Sequence, residues 1–179
     1  MIEFDQITTR GGDGGETSIA DGSRRGKDDQ LIDVIGEVDE LHAALGLYKA
    51  TLQDKKLREE MDWIQRRLLC IGGMLAVPPD HSAYNQIERI DEKSIAKLEK
   101  SQKAMMKGVN LPPYFVTYGG SEQGARADWA RAVCRRCERR MVALIRNRVM
   151  RDLAPAQQFL NRLSDWLFIR ARQEDGLLD

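Results

Sequence analysis

The chain has 179 residues, 42% apolar and 31% charged, and its 28 lysines and arginines equal its 28 aspartates and glutamates. That length suits one domain with a real core, taken here as a single unit over 1–179. The zero formal charge gives no reason to expect nucleic acid or an anionic membrane as partner, and no apolar run approaches membrane-spanning length. The opening MIEFDQITTR has no basic region followed by an apolar run, so neither a secretory signal nor an organellar leader is expected. Three cysteines fit a reducing, cytoplasmic compartment better than a disulfide scaffold.

Residues 1–27 are polar and glycine-rich. Glu3–Thr8 can form a short strand, with no obvious partner. TTRGGDGGETS follows at 8–18. Its glycines tolerate positive φ and let backbone N–H groups turn toward an anion. Arg10 adds a forked donor set for phosphate, and Thr17 and Ser18 add hydroxyls. Lys27, in GSRRGKDD, precedes a helix whose start also favours negative charge. Asp13 and Glu16 would repel a bare phosphate, yet they suit Mg²⁺ or a brace for Arg10. These residues sketch a nucleotide triphosphate site. The segment is not a Walker A loop, since no G-K-[ST] follows the glycines. A solvated arm without a ligand is the other reading.

A helical pattern starts near Asp28, with Leu31, Ile35, Val38, Leu41, Leu45 and Tyr48 recurring every three or four residues. Leu57, Met61, Ile64, Leu68, Ile71 and Leu75 repeat it up to Pro78-Pro79. Gly72-Gly73 can loosen that helix or admit a close neighbour. Residues 79–89 read as loop. A third helix is expected from about Asp91 to Met106, with Ile95 and Leu98 facing inward. Gly108 to Gly120 reads as a structured connection. Ser121 can cap a fourth helix reaching about Arg151. Asp152 can cap a fifth, with Pro155 in its first turn, running to about Glu174. The expected fold is all-α, a five-helix antiparallel bundle over 28–174, preceded by the 1–27 segment.

Two helical stretches carry polar chemistry. In ARAVCRRCERR, Arg131, Arg135 and Arg139 share one face, Glu138 lies beside them, and Arg136 and Arg140 form a neighbouring stripe. Asp39, inside the apolar periodicity of the first helix, is expected near the interior. A buried carboxylate wants a cation, and Arg135 is the obvious one. The pair either braces two helices or shapes a ligand site. RNA recognition is disfavoured, because no aromatics interleave with the arginines. Cys134 and Cys137 form a lone C-x-x-C, read as packed thiols rather than a zinc or redox site. No residue is assigned to a resident metal. In LNRLSDWLFIRAR, Asn161, Asp165 and Phe168 share a face. Asn161 suits a ribose or amide contact, or it clamps neighbouring helices.

Taken together, TTRGGDGGETS with GSRRGKDD, GEVDELHAALGL, CRRCERR and NRLSDWLFIRAR resemble, in order, the signatures of the PduO-type corrinoid adenosyltransferases, also called ATP:cob(I)alamin adenosyltransferases. The resemblance spans nearly the whole chain. It implies a cobalamin adenosyltransferase-like five-helix bundle, assembled as a homotrimer with ATP at the subunit interface. It implies transfer of the 5′-deoxyadenosyl group from ATP to cob(I)alamin or a related corrinoid, with Mg²⁺ and release of triphosphate. By resemblance, Thr9, Arg10, Gly12, Asp13 and Gly15 wrap the nucleotide, and Thr17, Ser18 and Lys27 belong to the polyphosphate region. Arg135, Glu138, Arg139 and Asn161 match positions near ATP, and Asp39 matches the carboxylate paired with Arg135. Phe115, in YFVTYGG, matches the aromatic that helps exclude the lower axial ligand of the corrinoid. A reductase or a cobalamin-dependent enzyme is a candidate transient partner.

The family commonly has proline at Tyr118, leucine–histidine at Ala127-Asp128, a small aliphatic residue at Trp129 and alanine at Cys137. It has larger residues at Gly11 and Gly14. The ATP-side pattern is thus nearly complete, and the corrinoid side is less standard. A non-catalytic carrier or sensor binding ATP and adenosylcobalamin is the alternative function, and a purely structural helical protein is a second one.

Overall fold

The computed structural model describes residues 3–108, 111, 113–148 and 150–176. The chain is mostly helical, with six α-helices and one small sheet among the described residues. A four-residue helix, α1 (Phe4–Ile7), stands where a strand is expected. The strands lie further on, at β1 (Glu16–Ser18) and β2 (Arg24–Gly26). They pair antiparallel with Thr17 opposite Arg25. The turn between them uses Gly22 at φ 80, and the Asp21 carboxylate accepts the Ser23 N–H at 2.7 Å. The all-α expectation is corrected by this hairpin. Its strands are too short and polar to leave an alternating apolar pattern.

Five long helices follow: α2 (Gln30–Lys49), α3 (Lys55–Ala76), α4 (Glu92–Met105), α5 (Glu122–Arg148) and α6 (Ala154–Glu174). Their starts follow side-chain chemistry. Asp29 accepts the Leu31 N–H at 2.7 Å, Asp54 the Lys56 N–H at 2.8 Å, and Asp91 the Ser94 N–H at 2.8 Å. Ser121 Oγ accepts the Gly124 N–H at 2.9 Å, as expected of a cap. The last helix differs. Leu153 holds its N-cap position without a side-chain bond, and Pro155 supplies the fixed φ of the first turn. Asp152 instead accepts the Tyr84 hydroxyl at 2.9 Å and lies near Arg89. Its carboxylate is drawn to a phenol and a guanidinium rather than to backbone donors.

The apolar residues at helical spacing form one core. Leu57, Met61, Ile64, Leu68, Ile71 and Leu75 of α3 are all buried. Gly72 and Gly73 leave α3 unbroken, and a Cβ on either would touch nothing within 4 Å. Neither glycine serves a close approach. Trp166 is fully buried and donates to Ser101 Oγ at 2.9 Å, fastening α6 to α4.

The polar cross-links set helix direction. Arg148 of α5 meets Asp29, the N-cap of α2, and Arg140 and Arg136 meet Asp33 and Glu37 of α2. The partner number rises as the α5 number falls, so the two helices run antiparallel. Along α5 and α6, Glu138 meets Asn161 and Asp128 meets Arg172, again in opposite order. No described helix is long and apolar enough to cross a membrane.

Candidate functional site

The glycine-rich segment is a chain of tight turns. Arg10 adopts φ 56 and Gly15 φ 82, left-handed values that glycine takes freely and arginine takes at a cost. Thr9 Oγ1 accepts the Gly11 N–H at 3.4 Å. The Asp13 N–H donates to the Arg10 carbonyl at 3.2 Å, and the Lys27 N–H to the Gly15 carbonyl at 2.8 Å. Lys27 therefore folds back over the loop. A Cβ built on Gly12 would lie 3.0 Å from Lys27 Nζ. The missing side chain at Gly12 is what makes room for the ammonium. Lys27, a dozen or so residues further along the chain, thus comes together with Gly12 and Gly15. Thr17 and Ser18 sit on β1 above them.

Glu16 does not brace Arg10. Its carboxylate pairs with Arg24 Nε at 3.3 Å, and Arg24 Nη2 donates to the Gly11 carbonyl at 2.7 Å. Arg24, which the sequence pattern did not single out, staples the loop to β2. It stands opposite Ser18 in the hairpin ladder and reaches diagonally to Glu16, so it was detectable only once β1 and β2 were known to pair. Asp13 is exposed and in no ion pair among the described residues.

The second group lies on α5 and α6. Glu138 Oε1 accepts the Asn161 amide at 3.0 Å and the Gln157 amide at 3.3 Å. Arg162 Nη1 donates to Asn161 Oδ1 at 2.7 Å. Asn161 is thus oriented on both sides, while Asp165 is exposed. Arg135 and Arg139 project beside this clamp, exposed and in no ion pair among the described residues.

The expected Asp39–Arg135 pair does not form within the chain. Asp39 is exposed. Arg136 takes the acids instead: its Nε reaches both Glu37 oxygens at 2.8 Å, and its Nη2 pairs with Glu40. Hydrogen bonds to Glu40 and Glu37 hold the Arg136 guanidinium above its ordinary pKa. Glu37, two residues before Asp39 and so on nearly the opposite side of α2, is the carboxylate that faces α5. Asp39 instead lines a groove of about 490 Å³ with Ile32, Ile35, His42, Leu69 and Gly72.

At the other end of α5, Phe115 and Tyr118 are exposed. Arg131 Nη1 lies 3.4 Å from the Tyr118 hydroxyl and its guanidinium is 5.2 Å from the Phe168 ring centroid. Beneath them, Arg172 is completely buried between Asp128 and Asp175. This group was also missed. Its signal was an aspartate among the apolar positions of α5, between Ala127 and Ala130. Cys134 and Cys137 are buried and free. Burial pushes the Cys137 thiol up to about 12 and Cys134 well above its usual value. They are packed thiols, with Cys134 Sγ 3.3 Å from the Leu160 carbonyl.

Among the described residues no hydrogen bond or ion pair joins the loop at 8–15 to Arg135, Glu138, Arg139 or Asn161. The two halves of the expected nucleotide site are separate groups within one chain.

Residues 7–174 match the family model described as "Cobalamin adenosyltransferase". The chain belongs to the cobalamin adenosyltransferase family. It is 36% identical over 175 residues to a corrinoid adenosyltransferase of Citrobacter freundii, covering 97% of each chain. It is 36% identical over 171 residues to the human corrinoid adenosyltransferase MMAB, covering 93% of this chain and 68% of that protein. Its fold superposes with TM-score 0.84, at 30% identity and covering 96% of this chain and 94% of the other, on a variant PduO-type ATP:corrinoid adenosyltransferase from Lactobacillus reuteri complexed with cobalamin and ATP. A second variant of that enzyme, complexed with ATP, gives TM-score 0.81 at 31% identity, covering 94% of both chains. The family thus coincides with the one that the four ordered sequence blocks resemble.

Proposed function

We propose that this cobalamin adenosyltransferase family member transfers the 5′-deoxyadenosyl group of ATP to a cob(I)alamin-type corrinoid. Its five long helices act as an antiparallel bundle, and its glycine-rich loop takes the nucleotide. The observation that carries the reading is Lys27 folded over Gly12. It gives a cation and turned backbone at one point, as a polyphosphate requires. The names of the relatives, which act on corrinoids, and the ATP-bound structural neighbours support it.

Three copies of the chain form a trimer in this reading. The loop of one subunit meets Arg135, Arg139 and Asn161 of the next. This accounts for exposed arginines that meet no acid among the described residues and for the separation of the two groups within one chain. The groove beside Asp39 is apolar enough to be covered by a neighbour, and Asp39 then pairs across the contact with Arg135. The three free cysteines suit a reducing, cytoplasmic setting.

Cobalt(I) attacks the 5′-carbon, a cobalt–carbon bond forms, the carbon–oxygen bond breaks, and triphosphate leaves with the electron pair. The reduced metal is itself the nucleophile, so the protein supplies none. Its side chains hold the 5′-carbon in line and stabilise charge on the leaving triphosphate, through Arg10, Lys27, Arg139 and loop amides. Mg²⁺ bound with the phosphates would offset charge there. Magnesium needs only one or two protein carboxylates beside phosphate oxygens. In the loop, Asp13 would serve, because Glu16 is paired with Arg24. Phe115 stands against the lower face of the corrinoid, so that cobalt(II) without its lower ligand accepts an electron more readily.

Anaerobic incubation of the chain with ATP, Mg²⁺ and chemically reduced cobalamin tests this. A light-sensitive alkylcobalt product, followed by absorbance, is expected. Bound ATP without product would instead assign a carrier or sensor.

A further inference from the structure

The segment bearing Phe115 has no regular secondary structure from 113 to 121. It nevertheless ends in a firm anchorage. Asp175, just past α6, accepts the Ser121 N–H at 2.8 Å and the Ser121 hydroxyl at 3.2 Å. A Cβ on Gly120 would lie 2.9 Å from the same carboxylate, and on Gly124 it would overlap it. Only glycine at both positions lets Asp175 come this close. Asp175 Oδ2 in turn accepts from Arg172 Nη2 at 3.0 Å, and the same nitrogen pairs with Asp128. The Arg172 guanidinium also lies 5.6 Å from the Tyr118 ring centroid and 5.5 Å from that of Phe168.

This cluster is an expensive way to pack a helix junction. Arg172 is completely buried, yet among the described residues its Nε and Nη1 have no hydrogen-bond partner, and neither has Asp128 Oδ1. Apolar side chains of similar volume would fill such a site at lower cost. What charge adds is direction: a fixed guanidinium plane with carboxylates on it and aromatic rings nearby.

We propose that Asp128, Arg172 and Asp175 are positioning residues for the corrinoid step: the buried arginine, held by two carboxylates, fixes the 113–121 segment from beneath and so sets where Phe115 stands against the corrinoid. This rests on the reading of Phe115 given above.

The test uses the full chain with Asp128→Asn, Asp175→Asn and Arg172→Lys, and with Phe115→Ala as reference. Electron paramagnetic resonance of bound cob(II)alamin with ATP reads the fraction lacking a lower ligand. Kinetics read KM for cobalamin and for ATP separately. In the two asparagine variants the fraction falls toward that of Phe115→Ala. Their KM for cobalamin rises about tenfold, while KM for ATP stays within about twofold. Arg172→Lys, which keeps the charge and loses the fork, falls between them and the parent. Folded asparagine variants with the parent spectrum and KM overturn the proposal, as does an equal loss toward both substrates. If Asp128→Asn does not fold, Asp175→Asn decides, since asparagine keeps an acceptor for the Ser121 N–H. A parent-like spectrum in Phe115→Ala overturns the Phe115 reading and the proposal with it. An altered Phe115→Ala beside parent-like triad variants overturns the proposal alone.

Discussion

Two stripes of arginine run side by side along α5, and their surroundings differ. Arg136, Arg140 and Arg148 are answered by Glu37 with Glu40, by Asp33 and by Asp29 on α2. Arg135 and Arg139, one position earlier in each pair, are exposed and meet no acid among the described residues. Yet the Glu138–Asn161 clamp beside them is fully formed. The first stripe joins helices. The second is held on a rigid rod with its charge unspent, which is how a binding group for an anion is kept ready.

The sharpest way to break this contrast is Arg139→Ala. Transfer, read as kcat/KM, is expected to fall about 100-fold or more, the usual cost of losing one donor to developing charge. The thermal midpoint should stay close to the parent's, because no partner is left behind. A large drop in stability with normal activity per folded subunit would erase the distinction between the stripes.

Arg136→Ala should behave in the opposite way. It leaves Glu37 buried and unanswered, so unfolding free energy should fall by about 1–2 kcal/mol, measured by urea denaturation. Activity per folded molecule should hold.

Asp91→Ala is a control away from both stripes. The lost cap should cost about 1 kcal/mol at neutral pH. Hydrogen bonds from the Ser94 side chain and backbone hold the Asp91 carboxyl below its usual range. Its contribution is therefore present above the unfolded value of about 3.9 and is lost as pH falls through the folded one. The deficit of the variant should shrink in acid.

The smallest effect concerns Asp128, where burial pushes the carboxyl above its usual range and outweighs Arg172. Between the unfolded value of about 3.9 and that higher folded one, the folded chain holds the extra proton. Stability should then decline as pH rises through the interval, and Asp128→Asn should remove that slope.

The sequence disclosed the helices well, because their apolar spacing is regular and most of their starts carry a capping side chain. It was weaker wherever one residue of offset matters. Asp39 and Glu37 both sit on the first helix, and both Arg135 and Arg136 sit on α5. Periodicity gave the helices but not which of Glu37 and Asp39, about 160° apart around α2, is turned onto α5. The hairpin was missed because three-residue polar strands leave no pattern. The glycine loop was recognised by composition, but Lys27 over Gly12 is a tertiary fact. So is the Asp128–Arg172–Asp175 cluster, which the antiparallel pairing builds from the start of α5 and the end of α6.

Helix α5 also acts as a ruler. Asp128 lies beneath the aromatic segment and Arg139 among the groups assigned to the nucleotide, eleven residues apart on one unbroken rod, or about 16 Å along its axis. The spacing between the aromatic segment and Arg139 is thus metered by helical rise, not by any hinge. Adding a single residue between Ala132 and Val133 would lengthen the gap only slightly. It would also swing every guanidinium beyond it by about 100°, so phase, far more than length, is what this rod conveys.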